Sequence, residues 1–292
     1  MPLTFTRRFR VRYYECDAHR QLSDVNYLRY MQEAAFDAST DVGYDENEYI
    51  KLGSYWLIRE TEITFLKPLR SNDNVDVVTW VDDFRRVRSR RIYEFRLNPT
   101  NELAGKAVTD WAYLDRKTGR PMEIPDEMVA AFVEDGVEIT SRQRPRFPKV
   151  KNPPKEAYFV QRKVEWRDID AAQHVNNAVY LTYFEDCGIQ VAKEYGWEMK
   201  HMQDMGIRIV GRKHHILYRQ PALLDDELEI ATWLTDFQKS TLVRHYVLKR
   251  LSDNEILGQS NSVYALIDLN SGKQIDIPTT FRQDFKANTT CE

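Results

Sequence analysis

The sequence predicts an α+β fold built from two tandem repeats, each with one long helix packed against an antiparallel sheet. Two observations lead to this prediction. The chain matches itself without a gap when it is shifted by 153 residues, the separation of Asp17 and Asp170. Within each copy, the spacing of the apolar residues changes once, from the period of a helix to that of strands.

The register of the repeat holds over nearly the whole chain. The shift of 153 residues pairs apolar, aromatic, turn and glycine positions: Val11 with Val164, Tyr27-Leu28 with Tyr180-Leu181, Tyr30 with Tyr183, Pro68 with Pro221, Asp73 with Asp226, Thr79-Trp80 with Thr232-Trp233, Asp83-Phe84 with Asp236-Phe237, Gly105 with Gly258, Asp115 with Asp268, Gly119 with Gly272 and Ile124-Pro125 with Ile277-Pro278. A long unit present twice indicates a duplicated domain, because solenoid units are shorter and more numerous. The expected product is a pseudo-dimer.

The order of the predicted elements is the same in both copies. In the second copy, a strand at 159–166 and a polar loop at 167–177 precede a helix at 178–196, whose apolar residues recur at three- and four-residue steps. Strand-like runs follow at 206–220, 226–237, 240–251 and 255–269. The first copy gives a strand at 5–15, a helix at 27–39 and further strands at 54–67, 73–81, 89–97 and 103–115.

This order of elements also fixes the layers and the domain boundaries. A long helix followed by an antiparallel meander must bury itself against one face of the sheet. Two such sheets can join edge to edge, which removes two exposed edges. Between the copies, four prolines among basic and polar residues indicate an extended connector. We therefore predict domains at 1–130 and 158–292, joined by a linker at 131–157.

The overall composition excludes several classes of protein. The chain has 292 residues, of which 42% are hydrophobic and 30% charged, a profile typical of folded globular proteins. A net charge of -3 gives no general attraction to nucleic acid. No run approaches the roughly 18 apolar residues of a membrane-spanning helix, and the N-terminus has no signal-peptide core, so we predict no membrane insertion and a cytoplasmic location. The cysteines, Cys16, Cys187 and Cys291, fit neither a disulfide scaffold nor a zinc site. No metal or organic cofactor is expected.

One loop concentrates residues that can act on a carbonyl group. Asp170, His174, Asn176 and Asn177 lie within eight positions, directly before the long helix of the second copy. A carboxylate such as Asp170 could attack the carbonyl or deprotonate a water molecule, and the sequence leaves both routes open. Backbone N–H groups after Asn177 could hold the oxyanion.

Several residues in and near this loop also have structural interpretations. We expect Asn176 or Asn177 to cap the helix, since asparagine is among the best N-caps. His174 could be an ordinary structural imidazole, although its place in the loop favours a positioning or proton-shuttling role. Cys187 falls on the buried face of the helix and is predicted to be an inert thiol. Asp168 is predicted to be a supporting loop residue, and Gly188 to permit close contact between helix and sheet.

The pattern D-x-D-x-x-x-H-V-N-N-x-x-Y, which begins at Asp168, resembles the active-site loop of the hotdog thioesterases. Over nearly the whole chain, the tandem length and spacing are most similar to the acyl-acyl carrier protein (acyl-ACP) thioesterases. The resemblance implies a double hotdog fold that hydrolyses fatty acyl-ACP to free fatty acid and holo-ACP, with coenzyme A (CoA) as the alternative carrier. It makes Asp170 the leading catalytic candidate, assisted by His174, Asn176 and Asn177.

The chain departs from the plant members of that family at two places. They carry Asn where this chain has Ala172, and Glu and Cys where it has Pro221 and Ala222. The simpler mechanism of the single-domain relatives, centred on one aspartate, therefore fits better. The first copy departs further, because only Asp17 is retained while Gln21, Ser23 and Asp24 replace His174, Asn176 and Asn177. We expect this copy to complete the site and shape the acyl pocket, although Asp17 could support a second site.

Candidate substrate-binding residues come from both copies. Tyr180 belongs to the motif, and Trp56 could line an acyl tunnel or simply pack in the core. A basic hairpin in the first copy contains Arg85, Arg86, Arg88, Arg90 and Arg91. An acidic carrier protein or the phosphates of CoA would be attracted there, and we predict Arg86, Arg88 and Arg90 as carrier-binding residues. The alternative is a solvated strand face whose charges are balanced by neighbouring acids.

Two rival functions remain open from the sequence. A hotdog dehydratase would need a histidine on the loop and an acid on the helix of the partner copy, whereas this loop matches the hydrolases. A non-catalytic acyl-thioester-binding protein would have no need of the complete motif. The acyl chain length, the choice between ACP and CoA, and a homodimer of whole chains also stay open.

Overall fold

The computed structural model describes residues 2–133, 147, 153–235 and 237–290. The chain divides into two compact units, Met1–Arg146 and Phe147–Glu292. This division falls inside the segment 131–157, most of which lies outside the described residues. The limits of the linker at 131 and 157 therefore stay a prediction.

The first unit contains one antiparallel sheet and one long helix. Its strands are β1 (Thr4–Arg10), β2 (Ser54–Phe65), β3 (Asn74–Arg85), β4 (Arg88–Asn98) and β5 (Glu102–Asp115). Its helices are α1 (Asp24–Asp41), α2 (Glu46–Lys51) and α3 (Asp126–Ala131), with a 3-10 turn at Tyr13–Glu15. The strands pair in the order β1-β3-β4-β5-β2.

The second unit repeats this arrangement. Its strands are β6 (Tyr158–Lys163), β7 (Ile207–Tyr218), β8 (Glu227–Thr235), β9 (Thr241–Arg250), β10 (Ile256–Asp268) and the short β11 (Gln274–Ile275). Its helices are α4 (Asn177–Glu194), α5 (Met199–Asp204) and α6 (Thr279–Asp284), with 3-10 turns at Trp166–Asp168 and Phe285–Asn288. The strand order is β6-β8-β9-β10-β7, with β11 added on β10. The long helices begin 153 residues apart, which confirms the duplicated helix-on-sheet fold.

The core of each unit lies between the long helix and one face of the sheet. Along β3 and β4 alternate residues are buried, as expected for strands with one covered face. Tyr27 of α1 packs edge-on against Phe65 and Phe95, with ring centroids 5.0 Å apart in both pairs. In the second unit, Phe184 of α4 stacks on Tyr246 of β9 at 5.1 Å.

Glycine permits an unusually close approach of α4 to its sheet. A Cβ atom added to Gly188 would lie 2.7 Å from the hydroxyl oxygen of Tyr246, well inside van der Waals contact. The predicted role of Gly188 in helix-to-sheet packing is confirmed. The matching position of α1 is Ala35, so the two units pack this turn differently.

Two details of the predicted elements were wrong. The first strand of each copy was predicted to reach residues 15 and 166, but β1 ends at Arg10 and β6 ends at Lys163. Each strand is followed by a 3-10 turn closed by a buried acid, Glu15 or Asp168, which accepts the backbone N–H three residues before it. The six-residue helices were missed because so short a segment carries little helical periodicity. Across the described ranges, no helix has the length and apolar character needed to span a membrane.

Candidate active site

The loop before α4 is a compact turn held by its own backbone. The amide of Asp170 donates to the carbonyl of His174 over 3.1 Å, and the amide of Gln173 donates to the carbonyl of Asp170 over 3.0 Å. Gln173 has a φ of 64°, in the left-handed region that closes such turns. The fold therefore brings Asp170 and His174, four positions apart, to the two sides of one turn.

The carboxylate of Asp170 is held at both oxygens. Its Oδ1 accepts the backbone N–H of Ala172 at 2.9 Å, and its Oδ2 accepts the side-chain amide of Asn176 at 3.0 Å. The residue is half-buried, so solvent reaches it from one side. Two neutral donors fix the orientation of a negatively charged group and leave lone pairs for a reacting molecule.

Asn176 links this carboxylate to the helix. Its Oδ1 accepts the N–H of Ala178 at 2.9 Å, and its carbonyl accepts the N–H of Val179 at 2.9 Å. Asn176 is therefore the N-cap of α4, which confirms that one of the two asparagines has this role. The backbone N–H groups of Ala178 and Val179 therefore already have acceptors. They could hold an oxyanion, as predicted, only if the cap rearranged. The positive end of the helix dipole remains next to Asp170.

The imidazole of His174 is half-buried, and its Nδ1 lies 3.2 Å from the carbonyl oxygen of Val175. A carbonyl can only accept, so this contact requires a proton on Nδ1 and, in the neutral ring, leaves Nε2 as an acceptor. That tautomer suits a group that receives a proton.

A second acid of the loop is structural. Asp168 is buried, and its Oδ2 accepts the backbone N–H of Glu165 at 2.9 Å and the hydroxyl of Tyr183 at 2.7 Å. In the first unit, the corresponding Glu15 accepts the hydroxyl of Tyr30 at 2.6 Å. In both units an acid–tyrosine hydrogen bond ties the loop to the long helix, as expected for a supporting residue.

Tyr180 positions the segment that packs against the loop. Its buried hydroxyl donates to the carbonyl of Gln220 at 3.3 Å and accepts the N–H of Ala222 at 3.0 Å, and burial raises its pKa to about 12. The carbonyl of Ala222 in turn accepts the N–H of Val175 at 2.9 Å. Direct contact of Tyr180 with substrate stays a prediction.

The remaining motif residue, Asn177, begins the helix. Its carbonyl accepts the hydroxyl of Tyr218, on β7, at 3.2 Å. Tyr218 was not among the predicted site residues, because its contact with Asn177 joins positions 41 residues apart in the chain.

The corresponding loop of the first unit has the same turn but a different environment. Asp17 is exposed, and its Oδ1 accepts only backbone amides, those of His19 at 2.8 Å and Gln21 at 3.0 Å. Among the described residues, none provides this carboxylate with a side-chain hydrogen-bond donor.

Ser23 and Asn26 of the first unit serve the 3-10 turn instead. The Ser23 hydroxyl and the Asn26 amide both donate to the carbonyl of Glu15, at 3.1 and 2.8 Å. The amide that orients Asp170 in the second unit therefore has no counterpart on Asp17.

Trp56 and Arg90, two of the predicted substrate-binding residues, both have partners within the first unit. The indole N–H of Trp56 donates to the hydroxyl of Tyr49 at 3.1 Å, and its ring centroid lies 4.9 Å from that of Tyr113. These contacts favour core packing, the second of the two roles predicted for Trp56. Arg90 makes two 2.8 Å hydrogen bonds to Asp110.

The other hairpin arginines separate into two groups. Arg91 is buried, with its guanidinium 5.5 Å from the centroid of Phe132. Arg86 and Arg88 are exposed, and Arg86 lies 3.7 Å from Glu123. Arg85 is exposed as well, but it lies 3.7 Å from Asp83. Among the described hairpin arginines, Arg86 and Arg88 therefore remain the better candidates for carrier binding, because Arg90 is held by a carboxylate.

Cys187 is a buried thiol in the middle of α4. The thiol is buried on the sheet side of α4, and loss of solvation raises its pKa to about 12, so almost no nucleophilic thiolate forms near neutral pH. We expect Cys187→Ala to keep full hydrolytic activity and to lose about 1 kcal/mol of stability, because a small buried group is removed. Steady-state kinetics and thermal melts would measure both. A loss of activity in a folded variant would assign Cys187 a role in the reaction.

Two family models match the chain at the positions of the two units. The model described as the acyl-ACP thioesterase N-terminal domain matches residues 2–132. The model described as the thioesterase-like superfamily matches residues 164–285, which include the whole loop and α4. The predicted resemblance is confirmed: the first unit matches the N-terminal domain of the acyl-ACP thioesterases, and the second matches the wider thioesterase-like superfamily.

Individual members of the family are distant in sequence. An acyl-carrier-protein hydrolase of Cuphea viscosissima is 25% identical over 188 residues, covering 61% of this chain and 46% of that protein. A dodecanoyl-carrier-protein hydrolase of Cinnamomum camphora is 24% identical over 268 residues, covering 87% and 66%. Both are chloroplast proteins, and the first is about twice as long as the part that this chain matches.

Solved structures of acyl-ACP thioesterases share the fold. The 12:0-ACP thioesterase of Umbellularia californica superposes with a TM-score of 0.73 at 21% identity, covering 90% of this chain and 94% of that chain. An acyl-ACP thioesterase of Bacteroides thetaiotaomicron gives a TM-score of 0.70 at 16% identity, covering 89% and 97%. The double hotdog fold predicted from the sequence is confirmed.

Proposed function

We propose that this protein hydrolyses fatty acyl-ACP to free fatty acid and holo-ACP, with Asp170 as general base or nucleophile. The observation that carries the proposal is the carboxylate of Asp170, oriented by Asn176 at the N-terminus of α4 in the unit that keeps the complete motif. The names of the relatives, which are hydrolases of acyl carrier protein thioesters, support the same activity.

The reaction can follow two balanced routes. In the general-base route, Asp170 takes a proton from water as the water oxygen attacks the carbonyl carbon; the tetrahedral intermediate then breaks the C–S bond and the thiolate is protonated. In the nucleophilic route, an oxygen of Asp170 attacks, the thiolate leaves, and water hydrolyses the resulting mixed anhydride. His174 Nε2, as an acceptor, can move the proton in either route.

Isotopic labelling tests for the anhydride of the nucleophilic route. A single turnover in H₂¹⁸O followed by mass spectrometry of the loop peptide would find label in Asp170 when water attacks the aspartyl carbonyl of an anhydride. An unlabelled Asp170 together with labelled fatty acid would exclude opening at that carbonyl; it is expected for the general-base route and for an anhydride opened at its fatty acyl carbonyl.

Asn176 is expected to contribute to both rate and stability. Asn176→Ala removes the hydrogen bond that orients Asp170 and the cap of α4, so we expect kcat to fall about tenfold and stability to fall by about 1 kcal/mol. Ser23→Ala at the matching N-cap of α1 is the control, because the Ser23 side chain makes no capping hydrogen bond. Kinetics and urea denaturation would measure the difference. Equal behaviour of the two variants would remove the orienting role.

The exposed hairpin arginines give a test of carrier binding. If Arg86 and Arg88 attract an acidic carrier, Arg86→Glu/Arg88→Glu should raise the KM for acyl-ACP several-fold and reduce its dependence on salt. The matched control is the same variant with a small acyl thioester that lacks a carrier. A similar loss on both substrates would mean that the hairpin serves folding.

Acyl-CoA hydrolysis is the alternative activity, and binding of acyl thioesters without turnover is the alternative class. One panel decides among them: acyl-ACP, acyl-CoA and hydroxyacyl-CoA of several chain lengths, with release of free thiol as the readout. Binding of acyl-ACP with no release of thiol would favour the binding protein, and loss of water from hydroxyacyl-CoA would favour the dehydratase. The cytoplasmic location and a homodimer stay predictions, to be tested by cell fractionation and by light scattering.

A further inference from the structure

The surface of the first unit contains a cationic cleft. None of the residues that line it belongs to the catalytic loop of the second unit. It has a volume of about 550 Å³ and follows β1 and the 3-10 turn after it. Four arginines and three tyrosines contribute to its lining: Arg7, Arg8, Arg10, Arg12, Tyr13, Tyr14 and Tyr30. None of the described residues that line it is acidic. We call this feature the arginine cleft.

The acids near the cleft neutralise the arginines at its start. Arg7 lies 3.2 Å from Glu33 and 2.6 Å from Asp37, both on α1. Arg8 forms a hydrogen-bonded ion pair with Asp76 at 2.6 and 2.9 Å. These two arginines add little net charge to the cleft.

The charges further along the cleft are less compensated. Arg10 donates to the neutral side-chain oxygen of Asn72 at 2.6 Å. Arg12 donates to the hydroxyl of Tyr14 at 3.1 Å and lies 3.5 Å from Glu15, whose carboxylate also accepts the hydroxyl of Tyr30. The end of the cleft at Arg10 and Arg12 therefore carries net positive charge.

Exposed aromatic rings extend the same surface. Tyr13 is 85% exposed and Tyr14 is 75% exposed, far above the usual exposure of tyrosine. Arginine and tyrosine together are the residues most enriched where one protein binds another. The composition of the cleft is therefore that of a protein-binding surface.

The two repeats differ at this place. Residues 153 positions later replace Arg7, Arg8 and Arg12 by Val160, Gln161 and Glu165. The counterpart of Arg10 is Lys163, which pairs with Asp225 at 2.8 Å. The second repeat keeps an exposed aromatic ring, Trp166. Its other basic residues here, Arg162 and Arg167, lie 3.3 Å from Asp186 and 2.7 Å from Glu165, so their charges are compensated. The charge thus belongs to the repeat that lacks the complete catalytic motif.

We propose that the arginine cleft docks the acidic surface of the carrier protein that bears the acyl thioester. This inference rests on the proposed function and adds the surface that recognises the carrier. The less compensated guanidinium groups, those of Arg10 and Arg12, donate to different side chains, Asn72 and Tyr14. Two charges held apart in this way match an extended acidic surface, whereas a single phosphate needs donors that converge on one point.

The test compares carrier-bound and carrier-free substrates in the full-length protein. Arg10→Gln/Arg12→Gln should lower kcat/KM for acyl-ACP, relative to that for acyl-N-acetylcysteamine, by at least about tenfold, chiefly through KM. Lys163→Gln, at the matching position of the second repeat, should leave this ratio unchanged. Arg10→Gln alone serves as a second variant if the double variant melts at a lower temperature, because the Arg10 side chain donates to the neutral Asn72 and not to an acid in the described part of the chain.

A direct binding measurement keeps this inference separate from the proposed activity. Holo-ACP should bind the wild-type protein with a Kd that rises with salt, and about tenfold less tightly to Arg10→Gln/Arg12→Gln. An unchanged Kd and an unchanged substrate ratio would overturn the docking surface. A selective loss with acyl-CoA would assign the cleft to a nucleotide phosphate instead. A wild-type protein that binds holo-ACP through the cleft but cleaves no thioester would contradict the proposed function and leave the docking surface standing.

Discussion

Asp170→Asn is expected to lower kcat by at least about a hundredfold, whereas Asp17→Asn should change it little. The substitution at Asp170 preserves size and removes the charged oxygen that must act as base or nucleophile. Asp170 is half-buried and held by the amide of Asn176, whereas Asp17 is exposed and, within the described residues, accepts backbone amides alone. The oriented carboxylate should therefore carry the reaction.

Steady-state kinetics with thermal melts of both variants would measure this inequality. Both proteins should remain folded, since neither aspartate lies in a core. Equal losses of activity would mean that each unit has a working site. A larger loss at Asp17 would place the chemistry in the first unit.

Gly188→Ala is expected to destabilise the protein by about 1–2 kcal/mol. Alanine in a helix is favoured over glycine by about 1 kcal/mol, but overpacking of a core costs about 1–3 kcal/mol. The overpacking term should dominate because the new Cβ would lie 2.7 Å from the hydroxyl oxygen of Tyr246. The ring of Tyr246 is fully buried and stacked on Phe184, so it has little room to move.

The effect of Gly188→Ala in a Tyr246→Phe background tests whether the hydroxyl contact causes the loss of stability. Tyr246→Phe removes the oxygen that the new methyl group would meet, and the ring carbon behind it would lie at an ordinary 3.9 Å. In this background Gly188→Ala should be neutral or stabilising, so the sign of its effect should reverse in a double-mutant cycle measured by urea denaturation. The same loss of stability in both backgrounds would show that the hydroxyl contact is not responsible.

The sequence by itself determined the duplication, the layers and the place of the catalytic motif. The register of 153 residues and the change from helical to alternating spacing are both properties of the chain, and the bounds of α1 and α4 follow them. The asparagine cap could also be predicted, because a cap depends on residues only two positions apart. The motif also identified Asp168 and Asp170 as the acids of the loop, and the resemblance made Asp170 the candidate base.

Only the tertiary structure decided what each charged side chain contacts. Asp168 is a structural acid because Tyr183, 15 residues away, donates to it, and Asp170 is available because Asn176 holds it without covering it. Arg90 is held by Asp110, 20 residues along the chain. These partners meet through strand pairing and helix packing, and local spacing does not specify them. The same long-range contacts separate the neutralised Arg8 from the less compensated Arg10 two residues further along β1.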